Sequence, residues 1–144
     1  MTATPGNVID YAWILDYIEG AAAEYDLEEI AFDRWGATRI QTEMMDRGLS
    51  LVEFGQGYAS MSPPMKELEK LLLGGHIRHG GNPVLTWMAD NVVARQDPAG
   101  NIKPDKSKSI ERIDGIVALI MALDRALRHE NTTSVYSERG LRVL

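Results

Sequence analysis

The sequence predicts an α/β fold, a parallel or mixed sheet flanked by helices and followed by a long C-terminal helix, and three observations carry that reading. The first half alternates helical and strand patterns, as a parallel sheet with crossover helices requires. Its apolar strand-like runs are short and stop at an acid or a glycine. The most regular helical periodicity falls near the end, from Ser109 to about Arg128. With 144 residues, 44% of them hydrophobic, the chain can form one domain with a core of ordinary size.

Met1 to Asn7 reads as an irregular lead-in. After it Ile14, Ile18 and Ala21 or Ala22 share a helical face, with Trp13 and Tyr17 beside it, so a helix is expected from about Val8 to Glu24. Leu27 to Asp33 suits a buried strand, because Ile30-Ala31-Phe32 stops at an acid. A turn leads into a helix over Thr38 to Arg47, which carries Ile40 and Met44 on one face and stops at Gly48. Leu49 to Phe54 gives the second strand, and Gly55 to Met61 reads as a loop.

Ser62 before Pro63 marks a helix start, since proline lacks only an N–H that a first turn would not use. Leu68, Leu71 and Leu72 are its expected buried face, and Gly74-Gly75 its end. His76 to His79 reads as a brief extended piece, and Asn82-Pro83 opens a short helix with Leu85, Trp87 and Met88. Asn91 to Arg95, the turn-forming Asp97-Pro98-Ala99-Gly100-Asn101 and then Ile102 predict a hairpin. Ser109 is the expected N-cap of the long helix, which buries Ile113, Ile116, Val117, Ile120, Met121 and Leu127. Residues 1–128 read as one domain and 129–144 as a polar, flexible tail.

The absence of cysteine excludes disulfides, thiolate zinc sites and cysteine nucleophiles. No segment has a signal-peptide profile, and the longest apolar run, Ile116 to Leu123, is far short of the roughly 20 residues that span a bilayer. A cytoplasmic protein without a membrane role is expected. A net charge of −6 argues against holding nucleic acid by a broad basic surface. Against that background Lys103, Lys106, Lys108 and Arg112 outnumber Asp105 and Glu111 and make one local basic strip. Such a strip is either a solvated loop or a phosphate contact.

Two acids occupy unusual places. Asp33 stands at the C-terminal end of a predicted strand, the edge where α/β sheets put their ligand sites. Asp114 is spaced with Ile110, Val117, Ala118 and Met121, so it is expected on a mainly apolar helix face, where a carboxylate needs a cation, a donor or a proton. Capping, an arginine partner or a divalent metal would each serve. His76 and His79 read as loop histidines, Trp35 and Trp87 as core anchors, and Ser60 and Ser62 as helix-start residues.

The blocks AFDRWGATRIQTEMMDRG, FGQGYASMSPPMKELEKLL, HGGNPVLTWMADNV and IDGIVALIMALDRAL, in that order, resemble the C-terminal half of large terminase subunits of tailed phages and prophages. The resemblance runs from about Thr4 to Leu127. It implies an RNase H-like nuclease domain, here lacking its first strands, that cuts concatemeric double-stranded DNA during head packaging. By the same resemblance Asp33 corresponds to the family's second acidic metal ligand and Asp114 to its last. Both would serve a two-metal endodeoxyribonuclease using Mg²⁺ or Mn²⁺, with Lys103, Lys106, Lys108 and Arg112 as the DNA contact.

Implied partners are double-stranded DNA and, in the intact protein, the terminase ATPase domain, the small terminase subunit and the capsid portal, all in the host cytoplasm. No GxxxxGK[ST] loop occurs, so no ATP site is expected in this chain. The family's first acidic strand would lie before Met1. The metal site is therefore expected to be incomplete, the chain alone a poor nuclease, and the uncovered sheet edge prone to self-association. The competing expectations are a truncated prophage remnant that only docks DNA, portal or other terminase chains, and a related RNase H-like resolvase.

Overall fold

A computed structural model of the protein describes residues 7–33 and 38–130, and the chain divides between Glu53 and Phe54 into two compact units. In the first unit α1 spans Tyr11–Glu24 and begins where the Asp10 carboxylate accepts the Trp13 N–H at 3.2 Å. This N-cap shortens the helix expected from Val8. Leu15 is fully buried at the centre of the face formed by half-buried Ile14, Ile18, Ala21 and Ala22. Trp13 and Tyr17 stack beside it with centroids 5.5 Å apart.

Strand β1 is Ile30–Asp33, α2 is Thr38–Asp46 and β2 is Leu51–Phe54, so both strands are shorter than expected. The Ile30 N–H donates to the Ser50 carbonyl at 2.8 Å. That bond joins the starts of the two strands, as a parallel pair connected through a helix requires. Gly48, at φ 80°, ends α2 and lets the Leu49 N–H return to the Met44 carbonyl at 3.1 Å. Helix α2 packs on α1 through buried Met44, and Arg47 reaches across to Glu19 at 2.8 Å and Asp16 at 3.4 Å.

The second unit opens with α3, Tyr58–Leu73, which starts a full turn before the Ser62-Pro63 pair expected to begin it. Both prolines therefore lie inside the helix and each removes one helical hydrogen bond. Packing decides against them: Met61 is 1% and Ser62 3% exposed, and a face running through Met61, Pro64 and Leu68 lies against strand β4 (Ile102–Pro104) and helix α5 (Asp114–Glu130). Leu72, expected inside, is 53% exposed. Helix α4, Pro83–Asp90, begins as expected, with the Asn82 side chain accepting from Val84 at 3.0 Å and Leu85 at 3.1 Å. Trp87, expected as a core anchor, is 45% exposed, and Trp35 lies outside the described residues.

Strand β3 is Ala94–Gln96 and pairs antiparallel with β4, Arg95 opposite Lys103. Asp97 holds the turn with both carboxylate oxygens, accepting the Asn101 N–H and the Asn101 side-chain amide at 2.8 Å each. Helix α5 buries Ile116, Val117, Ile120 and Met121, with Ile113 just before it, as the periodicity predicted, whereas Leu127, expected with them, is only half-buried. The helix begins at Asp114 instead of Ser109, however. The Ser109 hydroxyl is committed elsewhere, donating to the Asp105 carbonyl at 2.9 Å and accepting the Val93 N–H at 3.3 Å. Of the tail expected over 129–144, residues 129 and 130 belong to α5, and 131–144 lie outside the described residues.

The hydrogen bond from the Ile102 N–H to the Ser62 hydroxyl at 3.1 Å, which ties α3 to the hairpin, yields a test. Ser62→Ala is expected to cost about 1–3 kcal/mol by leaving that N–H without its acceptor. Urea denaturation should show a lower midpoint at an unchanged m-value, and an unchanged midpoint would mean the bond contributes nothing.

Candidate metal and nucleic-acid site

The site grows out of the turn that follows β4. Pro104 ends the strand, and Asp105, 6% exposed, turns its carboxylate back on the next residues. Its Oδ1 accepts the Ser107 hydroxyl at 2.6 Å and the Ser107 N–H at 3.0 Å. The Asp105 carbonyl accepts the N–H groups of Lys108 and Ser109, and the Asp105 N–H donates to Val93 at 2.8 Å. These bonds hold the Asp105 carboxyl below the usual carboxylate range, the Ser107 hydroxyl first among the causes. The other oxygen, Oδ2, is buried with no hydrogen-bond partner, and the positive charge of Arg95 offsets part of that cost.

Lys106, one residue beyond this anchor, places its Nζ 2.9 Å from Oδ1 of Asp114. The ammonium lowers the Asp114 pKa, first by its hydrogen bond and then by its charge, with a smaller contribution from Arg112. Burial had been expected for Asp114, but its side chain is 59% exposed. Because α5 starts at Asp114, the residue sits in the first turn, where a carboxylate also meets the positive end of the helix dipole. Lys106, Arg112 and Asp114 line one open cavity of about 330 Å³ with Ile113 at its floor.

The basic strip does not act as one unit. Lys103 leaves the group, donating to the Gln56 carbonyl at 3.5 Å with its Nζ 5.2 Å from the centre of the Tyr58 ring. Lys108 and Arg112 are exposed. Asp33 is half-buried at the end of β1, in the first unit, whereas Asp114 belongs to the second. Among the described residues no three His, Cys, Asp or Glu side chains gather as a metal site. His79 accepts the Gly81 N–H at 3.3 Å, a loop role as expected. A larger cavity of about 580 Å³ between α3, α4 and α5 is lined mainly by aliphatic side chains such as Leu68, Leu85 and Ile120.

Sequence reading missed Asp105, Ser107 and Tyr58. For Asp105 a signal was present, an aspartate two residues before a serine, the spacing of a side-chain-capped turn.

A family model for the terminase large subunit, endonuclease domain, matches residues 1–130. The chain belongs to this family. The terminase large subunit of Enterobacteria phage HK97 is 44% identical over 128 residues, covering 88% of this chain and 25% of that protein. The crystal structure of the HK97 bacteriophage large terminase aligns at a TM-score of 0.76 and 45% identity, over 85% of this chain and 26% of that one. The large terminase nuclease from thermophilic phage G20c aligns at a TM-score of 0.62 and 15% identity, over 81% of this chain and 63% of that chain, a likeness of fold. The α/β, RNase H-like class read from the sequence therefore stands, with α5 as its C-terminal helix. This terminase nuclease chain spans about a quarter of the HK97 protein's length.

The depressed pKa of Asp105 sets the sign of a pH effect. A carboxylate whose folded pKa lies below its unfolded value stabilises the fold above the unfolded pKa and loses that contribution as pH falls through the folded one. Asp97, lowered mainly by the Asn101 side chain, acts in the same direction. Asp105→Asn should therefore reduce the melting temperature at neutral pH and less so in acid, so that the two melting curves converge as pH drops below about 4. A constant difference across that range would remove the charge from the explanation.

Proposed function

We propose that this chain is the greater part of a metal-dependent endonuclease domain that cuts concatemeric double-stranded DNA during phage head packaging. The observation that carries the reading is the match to the terminase endonuclease domain over residues 1–130. Asp33 and Asp114 are the proposed metal ligands. The residue chemistry fits: both offer hard oxygen donors, and Asp114 already carries a cation at 2.9 Å. Mg²⁺ or Mn²⁺ at such a site supplies an activated water and charge on the leaving oxygen. Asp33 and Asp114 would each offer that ion a carboxylate, and of the basic strip proposed to contact DNA (Lys103, Lys106, Lys108 and Arg112), Lys108 and Arg112 are exposed and open to phosphates.

The packaging ATPase domain, the small subunit, the portal and the bacterial cytoplasm belong to the same proposal. Among the described residues no helix is long and apolar enough to cross a membrane. Two carboxylates offset only part of the charge of two divalent ions, which supports slow cleavage by this chain alone.

Plasmid cleavage in Mn²⁺ tests the assignment. A version extended N-terminally through the family's first acidic strand should cut faster than this chain. In that version Asp33→Asn and Asp114→Asn should each lower the rate at least about 100-fold, or about 2.7 kcal/mol of transition-state stabilisation. Undiminished cutting with either substitution would strike that acid from the site, and DNA binding without any cutting would favour a docking module. Fluorescence anisotropy tests the strip separately: Lys108→Ala with Arg112→Ala should reduce the slope of log affinity against log salt by roughly 2. An unchanged slope would make these two cations ordinary solvated surface.

A further inference from the structure

We propose that Met88 is an oxidation site whose thioether sulfur caps helix α5, so that a peroxide converting it to the sulfoxide loosens the start of that helix. Its basis is the junction of α4 with α5, where the Gly115 N–H donates to the Met88 sulfur at 3.3 Å. The proposal stands whatever the neighbouring Arg112 and Asp114 bind.

The first N–H groups of a helix have no partner within it and are usually met by a side-chain oxygen at the N-cap. Ile113, whose carbonyl accepts the N–H groups of Ile116 and Val117 at 3.0 and 3.1 Å, stands in that position and has no such oxygen. The Asp114 carboxylate is turned to Lys106 at 2.9 Å. The Gly115 N–H is therefore met from another helix, by a sulfur 27 residues away in sequence. A thioether is a weak acceptor, and it serves here because the two helices meet closely. A Cβ at Gly115 would stand 2.7 Å from the Met88 sulfur and 3.3 Å from Leu85 Cδ1, so only glycine leaves the sulfur its place.

Met88 is half-buried, which leaves a small peroxide a route to it. In the reaction a sulfur lone pair attacks one peroxide oxygen, and the O–O bond breaks as the S–O bond forms. Sulfur loses two electrons and hydrogen peroxide is reduced to water, the departing hydroxide taking the proton of the transferred hydroxyl. An oxygen inserted between the sulfur and Gly115 has no room at a separation of 3.3 Å. On the other side of the sulfur it leaves a partly positive atom facing an N–H and the positive end of the helix dipole. Either product removes the cap, and reduction of the sulfoxide restores it.

Residue-resolved amide hydrogen exchange on this chain, before and after dilute hydrogen peroxide, tests the cap, with mass spectrometry reading sulfoxide at each methionine. Oxidation of Met88 is expected to speed Gly115 exchange about three- to tenfold, the protection that one modest hydrogen bond provides, and to lower the melting temperature. Methionine sulfoxide reductase should reverse both. In Met88→Leu, Gly115 should exchange at the faster rate from the outset, and peroxide should leave it there. Gly115→Ala, which displaces the sulfur, should hasten Met88 oxidation relative to exposed Met45. Four results would each overturn the proposal: Met88 resisting peroxide while Met45 is oxidised, oxidised Met88 with unchanged Gly115 exchange, an equal peroxide effect in Met88→Leu, or no faster oxidation in Gly115→Ala. The wild-type readings decide it alone should a variant fail to fold.

Discussion

Where α5 begins controls what the second unit presents to solvent, and a single serine hydroxyl decides it. Ser109 could cap a helix, and a helix starting there would place Asp114 in its second turn with an apolar neighbour on each side. Its hydroxyl instead bonds the Asp105 carbonyl at 2.9 Å and the Val93 N–H at 3.3 Å, stitching the turn to the residue before β3. Helical bonding then waits for the Ile113 carbonyl. Asp114 consequently opens the helix, exposed and beside Lys106, and the cavity between them exists because the intervening residues are turn and not helix.

The same turn explains how an acidic protein of net charge −6 keeps a cationic surface. A basic strip on flexible chain would be pulled toward the nearest acids and screened. Here each cation is assigned. Lys103 lies against Tyr58 and the Gln56 carbonyl, Lys106 against Asp114, and Lys108 and Arg112 face outward. Of the two acids within the strip, Asp105 turns its carboxylate inward on Ser107 with the charge of Arg95 nearby, and Glu111 is exposed.

Much of this was legible in the sequence because the determining contacts are local. The Asn82 cap, the Asp97–Asn101 turn, Gly48 after α2 and the buried stripe of α5 each depend on residues within about one turn of one another, and each was read correctly. The errors share the opposite property. Ser62 and Ser109 both look like N-caps, but their hydroxyls serve partners 40 and 16 positions away. Periodicity cannot distinguish a hydroxyl that caps its own helix from one that satisfies a distant N–H. Asp114 was misplaced as a consequence of Ser109, and Trp87 because an aromatic at helical spacing says nothing about whether another element covers it. Of the proposed site, the acids and bases were visible as residue types, and the resemblance in four ordered blocks gave them roles. The pairing of Lys106 with Asp114 was not visible, since it depends on the turn.

Exposure of Asp114 changes the physical argument for it as a ligand. A carboxylate buried on an apolar face would bind a divalent ion only by stripping the ion's water, which magnesium resists. It would also pay desolvation whenever the ion left. An open carboxylate at a helix N-terminus avoids both costs: it stays ionised beside Lys106, lets the ion keep part of its hydration shell, and remains reachable by DNA. The order of this turn in the free protein then comes from Lys106, whose ammonium lies 2.9 Å from the carboxylate.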